Sequence, residues 1–560
     1  MRSPDIMTPG ATPQGRVQPA WRLLVIGLVL AAGLAGCGQQ QDRDGVPLKP
    51  GVQVLKRGNG AEPLTLDPHR AISVASQNIL RDLFEGLVST APDGTPVPGV
   101  AEAWDTSADG LTWRFELRKN ARWSNGAPVT AADFVAGLRR ALDPATESAA
   151  AGLLAPILNA RAVMTRRLAP EELGVEALGE HTLLIRLSAP TPWLLELLTH
   201  PVSSPLYRPA LEQHGEAFAW PGRMVSNGPF HLSDWQPHEQ ITLARNHNYW
   251  DGRNVVIDQV IYYPTEDQDA ELARYRAGEL HWTADVPHHQ LGWVRRRMAA
   301  ELTITPRMAV TWLGLNVTRP PFDAPGLRRS LAMALDRELI VRSVTGAGEV
   351  PAHSWVPPMP GYVEQTPEWA LLPHRQQLEE ARRLYADAGF SARHPLELEL
   401  LYPGGLNNRR LAIAVAAMWR ESLGVRVRLR EEPFAEFLES RRDLGTTMVF
   451  RSGWAADFFD PFSFAGLFDS ETGASDTGWR SADYDEKLQD SMQARNTRRR
   501  FALLAEAERL LLEEQPIIPL YFDVRRRLVK PELRGWVANP MDLYPSRHFY
   551  FAAPATGGRQ

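Results

Sequence analysis

Apolar and polar positions alternate along the chain in two periods, so strands and helices are both expected. Val52-Gln53-Val54-Leu55-Lys56 reads as a strand, ended by Gly58-Asn59-Gly60. From Gln77 to Leu87 the pattern is helical, with Ile79, Leu80, Leu83 and Phe84 sharing one face. Thr112–Leu117 alternates as a half-buried strand. Thr130 then stands as an N-cap with Asp133 at N3, where an acid favours the helix dipole, and this helix should end near Asp143-Pro144. His181–Leu187, Ile241–Ala244 and Val260–Tyr263 are strand-like, and Asp267–Ala277 is helical.

The second half changes character. Helical patterns at Gly326–Ala334, Asp336–Val344, Gln376–Ala388, Leu411–Leu423 and Arg498–Leu512 alternate with apolar strands at Leu396–Leu400, Val425–Leu429 and Met448–Phe450. Ile517–Phe522 is again strand-like. Strands alternating with helices predict an α/β fold. The 560 residues exceed what one hydrophobic core holds, roughly 250–300, so two or three domains are expected. No composition shift marks a linker, which predicts domains interleaved along the chain. A net charge of −5 lacks the basic footprint of a nucleic-acid binder. Seventeen Trp suit both core positions and the lining of ligand clefts.

The N-terminus reads as a targeting segment. Arg16 and Arg22 precede an apolar run, Leu23–Leu34, too short to span a bilayer core of about 30 Å. The run ends Leu34-Ala35-Gly36-Cys37, and Cys37 is the only cysteine, so no internal disulfide is possible. This end resembles the bacterial lipobox, which implies a signal peptide over 1–36, lipidation of Cys37 and a flexible polar tether over 37–50. Gly38 follows the cysteine, which leaves the choice between inner and outer membrane open.

Enzyme chemistry finds no support. The chain has no Gly-rich phosphate loop, no GxSxG elbow and no HExxH. The adjacent pair His288-His289 cannot share a face of a helix or strand, and no acid or cysteine cluster joins it. No catalytic residue, metal or cofactor is expected.

Several stretches in order resemble the oligopeptide-binding family of ABC-importer substrate-binding proteins, the extracytoplasmic solute-binding proteins of family 5. They are Leu66-Asp67-Pro68-His69, Arg81–Leu87, Pro98–Trp104, Trp113-Arg114-Phe115, Trp123-Ser124-Asn125-Gly126, Asn227-Gly228-Pro229-Phe230, Asn246–Trp250, Arg274–Glu279, Ala332–Arg337 and Gly453-Trp454-Ala455-Ala456-Asp457. The resemblance runs from about residue 52 to about 550. It implies two α/β lobes with an additional third domain, a hinge between the lobes and a ligand engulfed on closure. It also implies a discontinuous domain I (51–84, 206–311 and 525–551), a domain II (85–205) and a domain III (312–524) as the second ligand-binding lobe.

A receptor for peptides of any sequence must read backbone, α-ammonium and carboxylate. Backbone can be read by pairing to strand edges, for which the segment around Val74 and the segment Arg451–Ala455, with Gly453 and Ala455, match family positions. Asp457 matches the family's ammonium-binding acid. Arg441 (with Arg442 as an alternative register) and Arg451 match arginines that meet ligand carboxylates. Phe434 stands where the family often has a pocket Trp. The chain departs from the family at Ile72, at Ser148–Ala151, at Asn408 in place of a histidine, and at Ala455 in place of a cysteine, which makes the pocket less polar and leaves preferred length open. The partners implied are short peptides, the permease and ATPase subunits of an importer, and the membrane through the lipid anchor. The chain itself is expected to be a monomer of the periplasm or cell envelope. Alternative readings keep the fold but change the ligand to murein peptide, haem or a metal chelate, or assign a chaperone or signalling role. Asp457 favours a ligand with a free ammonium.

Overall fold

The computed structural model describes residues 51–553. The signal segment, Cys37 and the tether lie outside the described residues.

The helix expected after Thr130 spans Ala131–Leu142, and its first turn explains why it starts there. The Thr130 N–H donates to Asp133 Oδ2 at 2.8 Å, the reciprocal pair of a capping box. Phe134, Leu138, Ala141 and Leu142 put its apolar stripe in the core. That stripe packs near a four-stranded antiparallel sheet in the order Ala101–Thr106, Thr112–Leu117, Thr182–Arg186, Val175–Ala177. A second four-stranded sheet contains Val54–Gly58, Gln259–Tyr263, Gln240–Arg245 and Phe230–Gln236 in that order, with the first pair parallel. One continuous apolar core serves both sheets, with Leu55, Phe115, Phe134, Ile241 and Tyr262 all fully buried in it.

A six-stranded mixed sheet forms the second lobe. Its order is Val350–Pro351, Ile517–Leu528, Leu302–Leu315, Val449–Ala455, Glu397–Pro403, Arg426–Glu432. Helices Pro325–Met333, His374–Asp387 and Leu406–Leu423 cover one face, burying Leu327, Ala381 and Trp419. Helix Thr497–Glu514 packs on a separate cluster with Trp312 and Trp355.

Two long strands, Leu302–Leu315 and Ile517–Leu528, carry the chain between the lobes. Their far ends pair as Leu302↔Leu528 to Thr305↔Arg525 and adjoin the first lobe through the bridges Trp282↔Val529 and Arg57↔Trp282. Their near ends are central strands of the second lobe. Between these stretches the register breaks: Pro306 faces Val524, but Val310 faces Phe522. Three residues on one strand therefore oppose one on the other, a bulge that bends and twists the ladder.

Several elements differ from the sequence expectation. The segment around Val74 is not a strand edge: Val74 opens the helix Val74–Leu83, because the Ser73 hydroxyl caps it by accepting the Ser76 N–H at 3.1 Å. Phe84 leaves that helix in extended conformation, so the helix starts earlier and stops earlier than its apolar spacing implied. The segment after Asp336 is a short α turn, Arg337–Leu339, that runs into the π-helical stretch Ile340–Thr345. The strand begun at Ile517 continues through the polar Arg525-Arg526-Arg527 to Leu528.

Candidate functional site

Strand Val449–Ala455 has one satisfied edge and one that stops short. Along its whole length it pairs antiparallel with Leu302–Leu315, from Leu315↔Val449 to Ala309↔Ala455. On its other side it pairs only at Leu400↔Val449 and Leu401↔Phe450. The neighbouring strand ends at Pro403, and the chain turns at Gly405 (φ 125°), a conformation that favours glycine, into helix Leu406–Leu423. Arg451–Ala455 is left with an unpaired edge among the described residues. Gly453 and Ala455 on it are exposed, and neither has a bulky side chain to block approach.

Beyond this edge the chain is pinned in a fixed path. The Ala456 N–H donates to Met308 O at 2.8 Å, and the Asp457 N–H donates to Ser463 Oγ at 2.9 Å. Asp460 is clamped by Arg500 through two bonds of 2.6 Å, both side chains buried. Trp193, from the other lobe, stacks on Phe458 at 5.7 Å and on Phe462 at 4.1 Å. Asp457 is thus held on a rigid support while its carboxylate has no hydrogen bond or ion pair among the described residues. Part of the residue remains exposed, yet surrounding protein strips enough water that burial pushes its pKa above the ordinary carboxylate range.

Two cavities flank the long strands and share Gln268, Asp285 and Arg525. The larger, about 550 Å³, lies between His288 of one lobe and Asn408 of the other, with Arg451, Tyr521 and Asp523 on its strands. The smaller, about 310 Å³, runs along Ser73, Val74 and Asn59 in the first lobe. Arg451 reaches Thr311 Oγ1 at 3.4 Å and forms no ion pair among the described residues. Asp523 beside it accepts the same hydroxyl at 3.3 Å, and burial raises its carboxyl despite the nearby Arg451 and Arg307.

Of the residues singled out by sequence, Arg451 and Asn408 line the larger cavity and Val74 lines the smaller. Gly453, Ala455 and Asp457 follow Arg451 along the same strand and its continuation. Arg441 is already engaged: its Nε lies 2.6 Å from Asp476 Oδ2, and its Nη1 donates to Ser452 Oγ at 2.9 Å. Phe434 is 66% exposed at the start of helix Phe434–Arg442 and lines neither cavity. Arg307 and Arg410, which line the larger cavity, were not foreseen. Pro306 interrupting the apolar strand is the one local signal that could have drawn attention to Arg307. Among the described residues no group of three potential metal ligands occurs, and no helix is long and apolar enough to cross a membrane.

Two α/β lobes joined by paired crossover strands, with a third sheet on one of them and cavities at the junction, define a hinged periplasmic-binding-protein fold. The model of the bacterial extracellular solute-binding proteins, family 5, matches residues 95–476, and the chain belongs to that family. It is 37% identical to the periplasmic oligopeptide-binding protein OppA of Escherichia coli K12, over 89% of this chain and 92% of that one. A periplasmic murein tripeptide-binding protein, MppA, in its unliganded open form superposes with a TM-score of 0.81 at 32% identity, covering 90% of this chain and 98% of that one. Haemophilus influenzae OppA in complex with the peptide RPPGFSPFR superposes with a TM-score of 0.75 at 33% identity, covering 90% and 100%.

Proposed function

We propose that this protein binds short peptides in the cleft between its lobes and delivers them to the permease and ATPase subunits of an ABC-type importer. The observation that carries this reading is the unpaired edge Arg451–Ala455 leading into the unpartnered carboxyl of Asp457. An extended peptide adds a strand to such an edge, so its main chain is bound whatever its side chains are. Gly453 and Ala455 leave space for the peptide to approach. The α-ammonium meets Asp457 in a charge-assisted hydrogen bond, strengthened where water is sparse. The terminal carboxylate meets Arg451, whose planar fork suits it. Arg441 joins only by exchanging Asp476 for the ligand. Asn408 and Val74 contribute cavity wall, and Phe434 contributes at most an outer rim.

The division into domain I (51–84, 206–311, 525–551), domain II (85–205) and domain III (312–524) accords with the three sheets. Lobe closure coupled to occupancy then follows from ligand contacts made by both lobes. The protein acts as a monomeric receptor without catalytic residues or cofactor, in the periplasm, held to the membrane by a lipidated Cys37 after removal of the signal peptide. A murein peptide is a second reading, supported by the likeness to MppA, and it uses the same ammonium site.

Tandem mass spectrometry of ligands released from protein purified from its native envelope tests the proposal. Short peptides with free amino termini are expected. Recovery of only haem, a metal chelate or another ligand without an α-ammonium would overturn it.

A further inference from the structure

The charge balance of the larger cavity carries an inference about which peptides it selects. Five arginines line it (Arg307, Arg410, Arg451, Arg525 and Arg526) against three acids, Asp285, Glu349 and Asp523. Two of the arginines are already matched. Arg525 pairs with Asp542 at 2.8 Å and Asp285 at 3.4 Å, and Arg526 pairs with Glu349 at 3.2 Å and Asp285 at 3.4 Å. Three remain. Among the described residues, Arg307 and Arg410 form no hydrogen bond or ion pair, and Arg451 has only hydroxyl contacts. Asp523 is the sole remaining acid of the lining, and it pairs with none of them within ion-pair distance.

Arg307 sits where the strand ladder breaks. Its neighbour Pro306 has no N–H, the Met308 N–H goes to Pro540 O at 2.8 Å, and Met308 O accepts from Ala456 at 2.8 Å. A bulge of this kind re-aims a side chain that a regular ladder would direct elsewhere. Arg307 is largely removed from water; Asp542 and Asp523 are near enough to act on its charge, but neither pairs with it directly and Asp542 is already bonded to Arg525 and Arg527, so a ligand carboxylate would complete its pairing. Arg410 is exposed on the first turns of helix Leu406–Leu423, across the same cavity. The terminal carboxylate of a peptide, taken by Arg451, accounts for one negative charge. Arg307 has room for another, and Arg410 lines the same cavity.

We infer that the cleft prefers short peptides carrying an acidic side chain, whose carboxylate is received by Arg307 with Arg410 as the second contact. This rests on the peptide-binding reading above and deepens it. A glutamate at the matching ligand position forms a bidentate pair with Arg307, and a glutamine there leaves the guanidinium unmatched, so selection works by penalty as well as by attraction.

Calorimetric titration of the purified protein, stripped of co-purified ligand, tests this with the tripeptides Glu-Ala-Ala, Ala-Glu-Ala and Ala-Ala-Glu, each against its Gln counterpart. At one position the Glu peptide should bind roughly ten-fold tighter or more at low salt. That ratio should collapse toward one in R307Q, recover in part in R307K and shrink in R410Q, whose exposed site does not endanger folding. Equal affinity for Glu and Gln peptides at all three positions overturns this inference alone. So does a preference that survives in R410Q and in a folded R307Q. Failure of every tripeptide, Gln forms included, to bind overturns the peptide reading and this inference with it.

Discussion

Replacing Trp193 with Ala tests whether the loop that carries Asp457 is held from the opposite lobe. Trp193 is 5% exposed and packs with Leu197 and Phe458. Its ring lies nearly parallel to Phe458, at 4°, and to Phe462, at 17°, and the Arg500 guanidinium sits 5.1 Å over it. Truncating a buried Trp costs about 3–5 kcal/mol. Two stacked pairs at about 0.5–1.5 kcal/mol each and a shielded cation–π contact near 1 kcal/mol account for a good half of that. The same change uncovers the Asp460–Arg500 pair and frees Phe458, the residue after Asp457. Urea unfolding followed by near-UV circular dichroism should show the loss, and calorimetric titration with a tripeptide should show affinity falling several-fold. Trp193→Phe, which keeps a stacking ring, should lose less than half as much. A stability change within about 0.5 kcal/mol, the size of a surface substitution, together with unchanged affinity would refute the reasoning.

Three further outcomes are expected. Asp457 has a raised pKa because burial penalises its charged form, and a bound ammonium favours that form and draws the pKa back down. Peptide affinity should therefore be full above the raised pKa and weaken as pH falls through it, with proton release on binding in that window; pH-independent affinity from pH 3 to 7, tested on the folded protein, would contradict this. A tripeptide N-methylated at one edge-facing amide should lose about 0.5–1.5 kcal/mol per strand hydrogen bond removed, measured by competition against the unmodified peptide. Cys37→Ser should release the protein from membranes into the soluble fraction on fractionation; persistent membrane association would remove the lipid anchor from the account.

What was legible in the sequence was local. Thr130 and Asp133 announced the start of their helix because a capping box is made within one turn. Thr112–Leu117 was read at its true bounds because a half-buried strand alternates whatever its partners are. Long-range compensation was not legible. The strand expected over Ile517–Phe522 runs on through Arg525-Arg526-Arg527 to Leu528, because Asp285, Glu349 and Asp542 arrive from other segments to neutralise the arginines. The segment around Val74 was expected as a strand edge from its likeness to a family position, and the Ser73 cap makes it the first turn of a helix instead. At the candidate site, Asp457 and Arg451 stood out through motif likeness. Arg307 did not, since a single Arg among 61 basic residues carries no signal until the bulge beside it is seen. Arg441 matched a pattern, but its pairing with Asp476 is visible only in three dimensions.

The most direct measurement is a calorimetric cycle that combines Asp457→Asn with N-acetylation of one tripeptide. Asp457→Asn should weaken the free-amine peptide by about 2–5 kcal/mol, while the acetylated peptide, having no ammonium, should lose little more from the same substitution. Undiminished binding of the free-amine peptide by the Asn variant would contradict the assignment of its amino end to this acid.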